Sequence, residues 1–278
     1  MPLVSLTEVG NRCRAENTGL GAFNVVQLET AATLVEAAEA VGAPVVLQIS
    51  QNAVKYHRGR LEPLGLAVLQ IAGDARVPTV VHLDHATDAS LVERAVELGF
   101  SSVMYDGSAL PHEENVSTTR GIVEFCHARG VAVEAELGEV GGKDGVHAPS
   151  ARTDPREAAS FVRRTGVDLL AVAVGSSHAM TERTAELDNG LIGDLASALE
   201  VPLVLHGSSG VSDDSMKQAI RAGITKVNVA THLNVCFTAA VRAALDDRPE
   251  GVDPRRYLGA GHAAVGPEAE RLLSLYTG

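Results

Sequence analysis

The chain contains no tryptophan, and aromatic residues make up only 3% of its 278 positions. Its core must be filled by Ala, Val and Leu, as in buried parallel strands. Cys13, Cys126 and Cys236 are few, odd in number and far apart. That excludes a disulfide framework and a CxxC zinc motif, and points to a reducing compartment, the cytoplasm. Positive charge is in deficit, 23 Lys+Arg against 35 Asp+Glu for a net of −12, so neither nucleic acid nor an anionic membrane is an expected partner. No apolar run approaches the ~18 residues of a membrane span. Residues 1–10 lack a basic segment followed by an apolar one, so no signal peptide is read there.

What is present is an alternation. Short apolar runs at Gly21–Val25, Pro44–Ile49, Thr79–Leu83, Ser102–Tyr105, Ala132–Glu136, Leu169–Val174, Pro202–Leu205 and Lys226–Val229 predict strands. Amphipathic stretches at Leu28–Val41, Ser90–Leu98, Glu113–Arg129, Asp154–Thr165 and Asp213–Ala222 predict helices, each followed closely by a glycine. Such alternation implies parallel strands with right-handed crossovers. About eight units favour a closed (β/α)8 TIM barrel, typically ~250 residues, over a doubly wound open sheet. No Pro/Gly/Ser-rich linker divides the chain, so one domain over residues 1–278 is expected, with an extra N-terminal helix at Ser5–Ala15 and a C-terminal helical tail from Asp253. The glycine-rich stretch Gly138–Thr153 has no periodicity and reads as a lid over a site or as a disordered insertion.

Three histidines stand where strands end: His85, His178 and His206. In a parallel barrel those ends converge on one face, where three imidazoles could hold a Zn²⁺ with its fourth position open. Singly, each would be an ordinary core or loop histidine. Asp84 shares a strand side with His82. Asp106 and Glu136, at the ends of the fourth and fifth strands, could orient imidazoles, ligate a second metal position, cap a helix or pair with an arginine. Glu134, on the face of Glu136, reads as structural or as a partner to a ligand. Gly207-Ser208-Ser209-Gly210 and Asn228-Val229-Ala230-Thr231 each precede a helix after the last two strands, the frequent phosphate position of barrels, and together predict a phosphate monoester site.

Ala22-Phe23-Asn24, His82-Leu83-Asp84-His85, Val103–Ser108, Glu113–Val116, Glu134–Gly138, Gly175-Ser176-Ser177-His178, Leu205-His206-Gly207 and Lys226–Thr231 resemble the class II, zinc-dependent ketose-bisphosphate aldolases, in order, from about residue 3 to about 258. The resemblance implies a (β/α)8 barrel, a homodimer or homotetramer, and reversible cleavage of a ketose 1,6-bisphosphate to dihydroxyacetone phosphate and an aldehyde such as glyceraldehyde 3-phosphate. It implies His85, His178 and His206 as zinc ligands, Asp84 as the acid/base on the aldehyde side, and Asp106 and Glu136 near an alternative metal position. Asn24 and Ser50 would line the substrate site. Gly175, Ala179, Gly207, Ser208, Ser209, Asn228, Val229, Ala230 and Thr231 fall in its substrate-binding segments, and carbonyls around Gly175, Gly207 and Ser209 match a monovalent-cation (Na⁺ or K⁺) site.

Departures from the family pattern are specific. No glutamate follows Gly141-Gly142 in the loop; Asp144 and Glu182 are the candidates for its proton-transfer part. Ala179 replaces the usual glycine, and Ala230 is closer to the tagatose-type branch than to the fructose-type. Among the four lysines, Lys55 and Lys143 read as loop, Lys217 as helix surface and Lys226 as the outer start of a strand, which disfavours a Schiff-base route. The alternatives to a bisphosphate aldolase are a non-catalytic, zinc-stabilised sugar-phosphate binder, a zinc hydrolase on the same scaffold, and an aldolase on another sugar phosphate such as a deoxy-keto-gluconate phosphate.

Overall fold

The computed structural model describes residues 3–137, 152–177 and 180–278. Eight parallel strands close in sequence order into a barrel. They are β1 (Leu20–Asn24), β2 (Val45–Ser50), β3 (Thr79–Ala86), β4 (Ser102–Tyr105), β5 (Ala132–Glu136), β6 (Leu169–Ala171), β7 (Leu203–Leu205) and β8 (Ile224–Val229), with β8 pairing back onto β1. Around them run α1 (Leu6–Glu16), α2 (Leu28–Val41), α3 (Gln51–Tyr56), α4 (Glu62–Asp74), α5 (Ala89–Leu98), α6 (His112–His127), α7 (Pro155–Thr165), α8 (Asn189–Ala198), α9 (Asp213–Ala222), α10 (Thr231–Asp247) and α11 (Pro254–Thr277).

The local chemistry explains the boundaries. Asp88, Asp154, Asp188 and Ser212 accept backbone N–H bonds as N-caps of α5, α7, α8 and α9. Gly99 and Gly166 end α5 and α7 with positive φ. Strand alternation then sorts side chains into two cores. Leu47, Val81, Leu83, Val133 and Val227 face the helical ring, while Ala22, Val46, Val80, Ala132, Leu169 and Val204 fill the barrel bottom, plugged by Leu6, Val9 and Cys13 of α1. Above that plug the interior positions become polar.

Some expected boundaries move. The run to Val174 leaves the sheet after Ala171, because Ala173 pairs with Thr153 instead of β7. His85 lies inside β3 rather than after it, at a register irregularity between Leu83 and Ala86, with φ +49°. The helix expected to follow Asn228–Thr231 already includes Thr231 as its first residue. Lys226 is the third residue of β8 and wholly buried inside the barrel, which corrects its reading as an outer strand start. The extended ladder begins at Ile224, so two-residue periodicity puts Lys226 on the same inward face as Asn228. No helix among the described residues is long and apolar enough to cross a membrane.

Candidate active site

The polar interior layer arises from pairs spaced two apart at strand ends: Gln48/Ser50 on β2, His82/Asp84 on β3, Glu134/Glu136 on β5 and Lys226/Asn228 on β8. The β2–β3 register sets Gln48 beside His82 and Ser50 beside Asp84, bringing separate segments to one rim. Of the paired residues, Gln48, Ser50, Asp84 and Asn228 line a cleft of about 180 Å³, together with Asn24, Asn52, His85, Gly207, Ser209, Ala230 and Thr231.

Asp84 is 3% exposed. Asn24 Nδ2 donates to its Oδ2 at 3.1 Å and Asn228 Nδ2 to its Oδ1 at 3.5 Å. Burial alone would raise its pKa, but the charges of His85, Lys226 and His206 outweigh burial and lower it, so the carboxylate stays ionised.

His85, Glu136 and His206 form the one group among the described residues able to hold a metal ion, their ligand atoms all lying within 4.8 Å of one another. The two imidazoles meet edge-on with centroids 4.6 Å apart. His85 Nδ1 lies 2.9 Å from Asp106 Oδ2, which leaves Nε2 as its ligating nitrogen. His206 Nε2 lies 3.1 Å from Glu134 Oε1 and its Nδ1 3.2 Å from Glu136 Oε2. Burial pushes His206 down, yet bonds to Glu134 and Glu136 prevail and raise it to about 9. A site whose paired carboxylates draw a proton onto buried imidazole also suits a divalent cation in that proton's place. Two nitrogens and a carboxylate, each ring oriented by a second carboxylate, fit such an ion. His82 goes the other way: burial, then Lys226, lowers it to about 3, a neutral ring bonded to Ser102 Oγ at 2.5 Å.

The loops after β7 and β8 are tied together. Ser208 Oγ donates to the Asn228 carbonyl, and His232 N donates to Ser209 Oγ at 3.1 Å. Gly207 has φ +67°, and a Cβ there would collide with the Ser177 carbonyl. Only glycine lets this loop pass so close to the chain after β6. Gly207, Ser209 and Thr231, the first residue of α10, thus line the cleft together.

Of the expected site residues, the structure brings Asp84, His85, His206, Glu136, Asn24, Ser50, Gly207, Ser209, Asn228, Ala230 and Thr231 to this rim. Asp106 sits behind His85. Ser208 turns back to Asn228, Val229 is buried in the core, and Gly175 (φ +117°) packs against the Glu186 carbonyl. His178, Ala179 and Asp144 lie outside the described residues; Glu182 is exposed. Gln48, Asn52 and Lys226 were missed by sequence reasoning. The i, i+2 pairing with Ser50 and Asn228 was the available signal for Gln48 and Lys226.

Fold and rim together define a (β/α)8 enzyme that combines a metal-competent His/Glu cluster, an ionised buried carboxylate and a cleft wall built from the joined loops after β7 and β8. A family model for class II fructose-bisphosphate aldolase matches residues 4–277. The fructose-bisphosphate aldolase of Thermus caldophilus is 38% identical, with 99% of this chain and 98% of its own length covered. The probable fructose-bisphosphate aldolase of Bacillus subtilis is 38% identical over 95% and 94%. Among solved structures, the YdjI aldolase of Escherichia coli superposes with a TM-score of 0.87 at 32% identity, covering 99% of this chain and 97% of that one. The chain belongs to the class II fructose-bisphosphate aldolase family, and it is a lyase of carbohydrate metabolism.

Proposed function

We propose that the chain is a zinc-dependent aldolase that reversibly cleaves a ketose 1,6-bisphosphate, fructose- or tagatose-type, to dihydroxyacetone phosphate and an aldehyde such as glyceraldehyde 3-phosphate. The observation that carries this is the ionised Asp84, held by two amides in the same cleft as His85 and the Gly207/Ser209/Thr231 cradle. Asp84 takes the C4 hydroxyl proton, the C3–C4 bond breaks, and its electron pair remains on the dihydroxyacetone fragment as an enediolate. In condensation Asp84 returns the proton. Asn24 and Asn228 fix the carboxylate, while loop amides at 207–209 and the α10 terminus hold the phosphate. His85, His206 and His178 would hold the zinc with its fourth position open, Glu136 and Asp106 would stand near an alternative metal position, and zinc as a Lewis acid would supply polarisation of the C2 ketone.

Carbonyls around Gly175, Gly207 and Ser209 are assigned to a monovalent cation in this reading, and the protein to a cytoplasmic homodimer or homotetramer. A binder would need no ionised Asp84, and a metal hydrolase would have less use for the cradle. The test is a panel of fructose 1,6-bisphosphate, tagatose 1,6-bisphosphate and deoxy-keto-gluconate phosphate with the zinc-loaded protein. Release of dihydroxyacetone phosphate from a ketose bisphosphate is expected. Phosphate release without carbon–carbon cleavage would favour the hydrolase.

A further inference from the structure

Lys226 is a wholly buried charged group that does not line the cleft and moves no proton in the aldol chemistry; only its charge enters there, helping to keep Asp84 ionised. We infer that it is a positioning residue: its ammonium fixes the side-chain amide of Asn228 so that the N–H end faces Asp84. This inference rests on the aldolase reading above. An amide has two ends of similar shape, and its neighbours decide which way it points. Lys226 Nζ donates to Asn228 Oδ1 at 2.6 Å. An ammonium only donates, so the amide must present its oxygen there, and Nδ2 turns to Asp84 Oδ1 at 3.5 Å. The flipped amide would set oxygen against carboxylate and N–H against ammonium, two repulsions at once.

The ammonium is anchored in turn. Glu134 Oε2 lies 2.9 Å from Nζ, and the other oxygen of that carboxylate receives His206 Nε2 at 3.1 Å. One line of contacts therefore runs from His206 through Glu134, Lys226 and Asn228 to Asp84. The opposite side of Asp84 repeats the device with neutral groups: Gln48 Nε2 donates to Asn24 Oδ1 at 2.7 Å, which turns Asn24 Nδ2 to Asp84 Oδ2 at 3.1 Å. With Nζ spent on Glu134 and Asn228, Lys226 organises the site instead of attacking a carbonyl.

The test compares three variants. Lys226→Met leaves the Glu134 charge buried without its counter-ion, so lower stability and metal content are expected. Adding Glu134→Gln removes that charge while an amide oxygen still accepts from His206 Nε2. This double variant is expected to regain wild-type melting temperature and metal content but to keep a kcat about 100-fold low with KM within about threefold, the signature of a misplaced group. Lys226→Gln with Glu134→Gln restores a donor toward Asn228 and is expected to recover about tenfold of that loss. A fully active Lys226→Met/Glu134→Gln protein, no rescue by the glutamine, or a covalent adduct on Lys226 after borohydride reduction with dihydroxyacetone phosphate would each overturn the assignment. A wild-type chain that cleaves no ketose phosphate in the same assay removes the aldolase reading and this inference with it; normal wild-type cleavage isolates the inference.

Discussion

Asp84 and His206 are neighbours in the barrel with opposite electrostatic settings. Asp84 is kept anionic by surrounding cations and amides, and His206 is drawn toward its protonated form by two carboxylates. Removing each should therefore do different things. Asp84→Ala is expected to retain metal and to lose about 10²–10⁴-fold in cleavage; unchanged turnover would take Asp84 out of the mechanism. His206→Ala is expected to lower metal content, checked by elemental analysis, and full occupancy would break its assignment as a ligand. These residues were legible because aspartate and histidine at the end of a β-branched run stand out. Lys226 was not: a lysine inside a short apolar run reads as pointing outward, and only the partner charge of Glu134, some ninety positions upstream in the chain, makes its burial tolerable.

At the scale of elements, two features do work that no single residue explains. The break in β3 turns His85 to φ +49°, a conformation that costs a non-glycine residue about 1–2 kcal/mol and is held by the bond to Asp106. The loop after β7 depends on Gly207. Gly207→Ala is expected to cost about 1–3 kcal/mol and to weaken inhibition by inorganic phosphate. Undiminished phosphate inhibition would remove that loop from the cradle. On α11, His262 is 8% exposed against Phe237, with neither ring nitrogen hydrogen-bonded. Burial lowers its pKa, with Glu29 opposing in part. Its folded value lies below the unfolded value of about 6.5, so the unfolded chain binds the proton first and stability falls as pH drops below that value. His262→Leu is expected to flatten the melting temperature between pH 6.5 and 5 relative to wild type, by about one titrating group. Parallel acid limbs for both proteins would contradict this.

For the whole molecule, the eight-unit alternation was readable because Val, Leu and Ala runs are separated by helices with recognisable caps. That count also carried the expectation of closure, which the pairing of β8 with β1 bears out; the early exit of β6 and the polar layer between plug and rim were not readable, since they depend on long-range register. Closure also brings His85, Glu136 and His206 together from separate strand ends, so a metal held there would be coupled to the fold: a ligand binding only the folded state stabilises it by mass action. Metal removal is expected to lower the melting temperature, by an amount that grows with metal affinity, and an unchanged value would place the ion elsewhere. The most direct test of the account is dihydroxyacetone phosphate release from a ketose bisphosphate before chelation, after chelation and after zinc is returned. Activity lost with the metal and restored by zinc is the predicted result; cleavage indifferent to the chelator would contradict it.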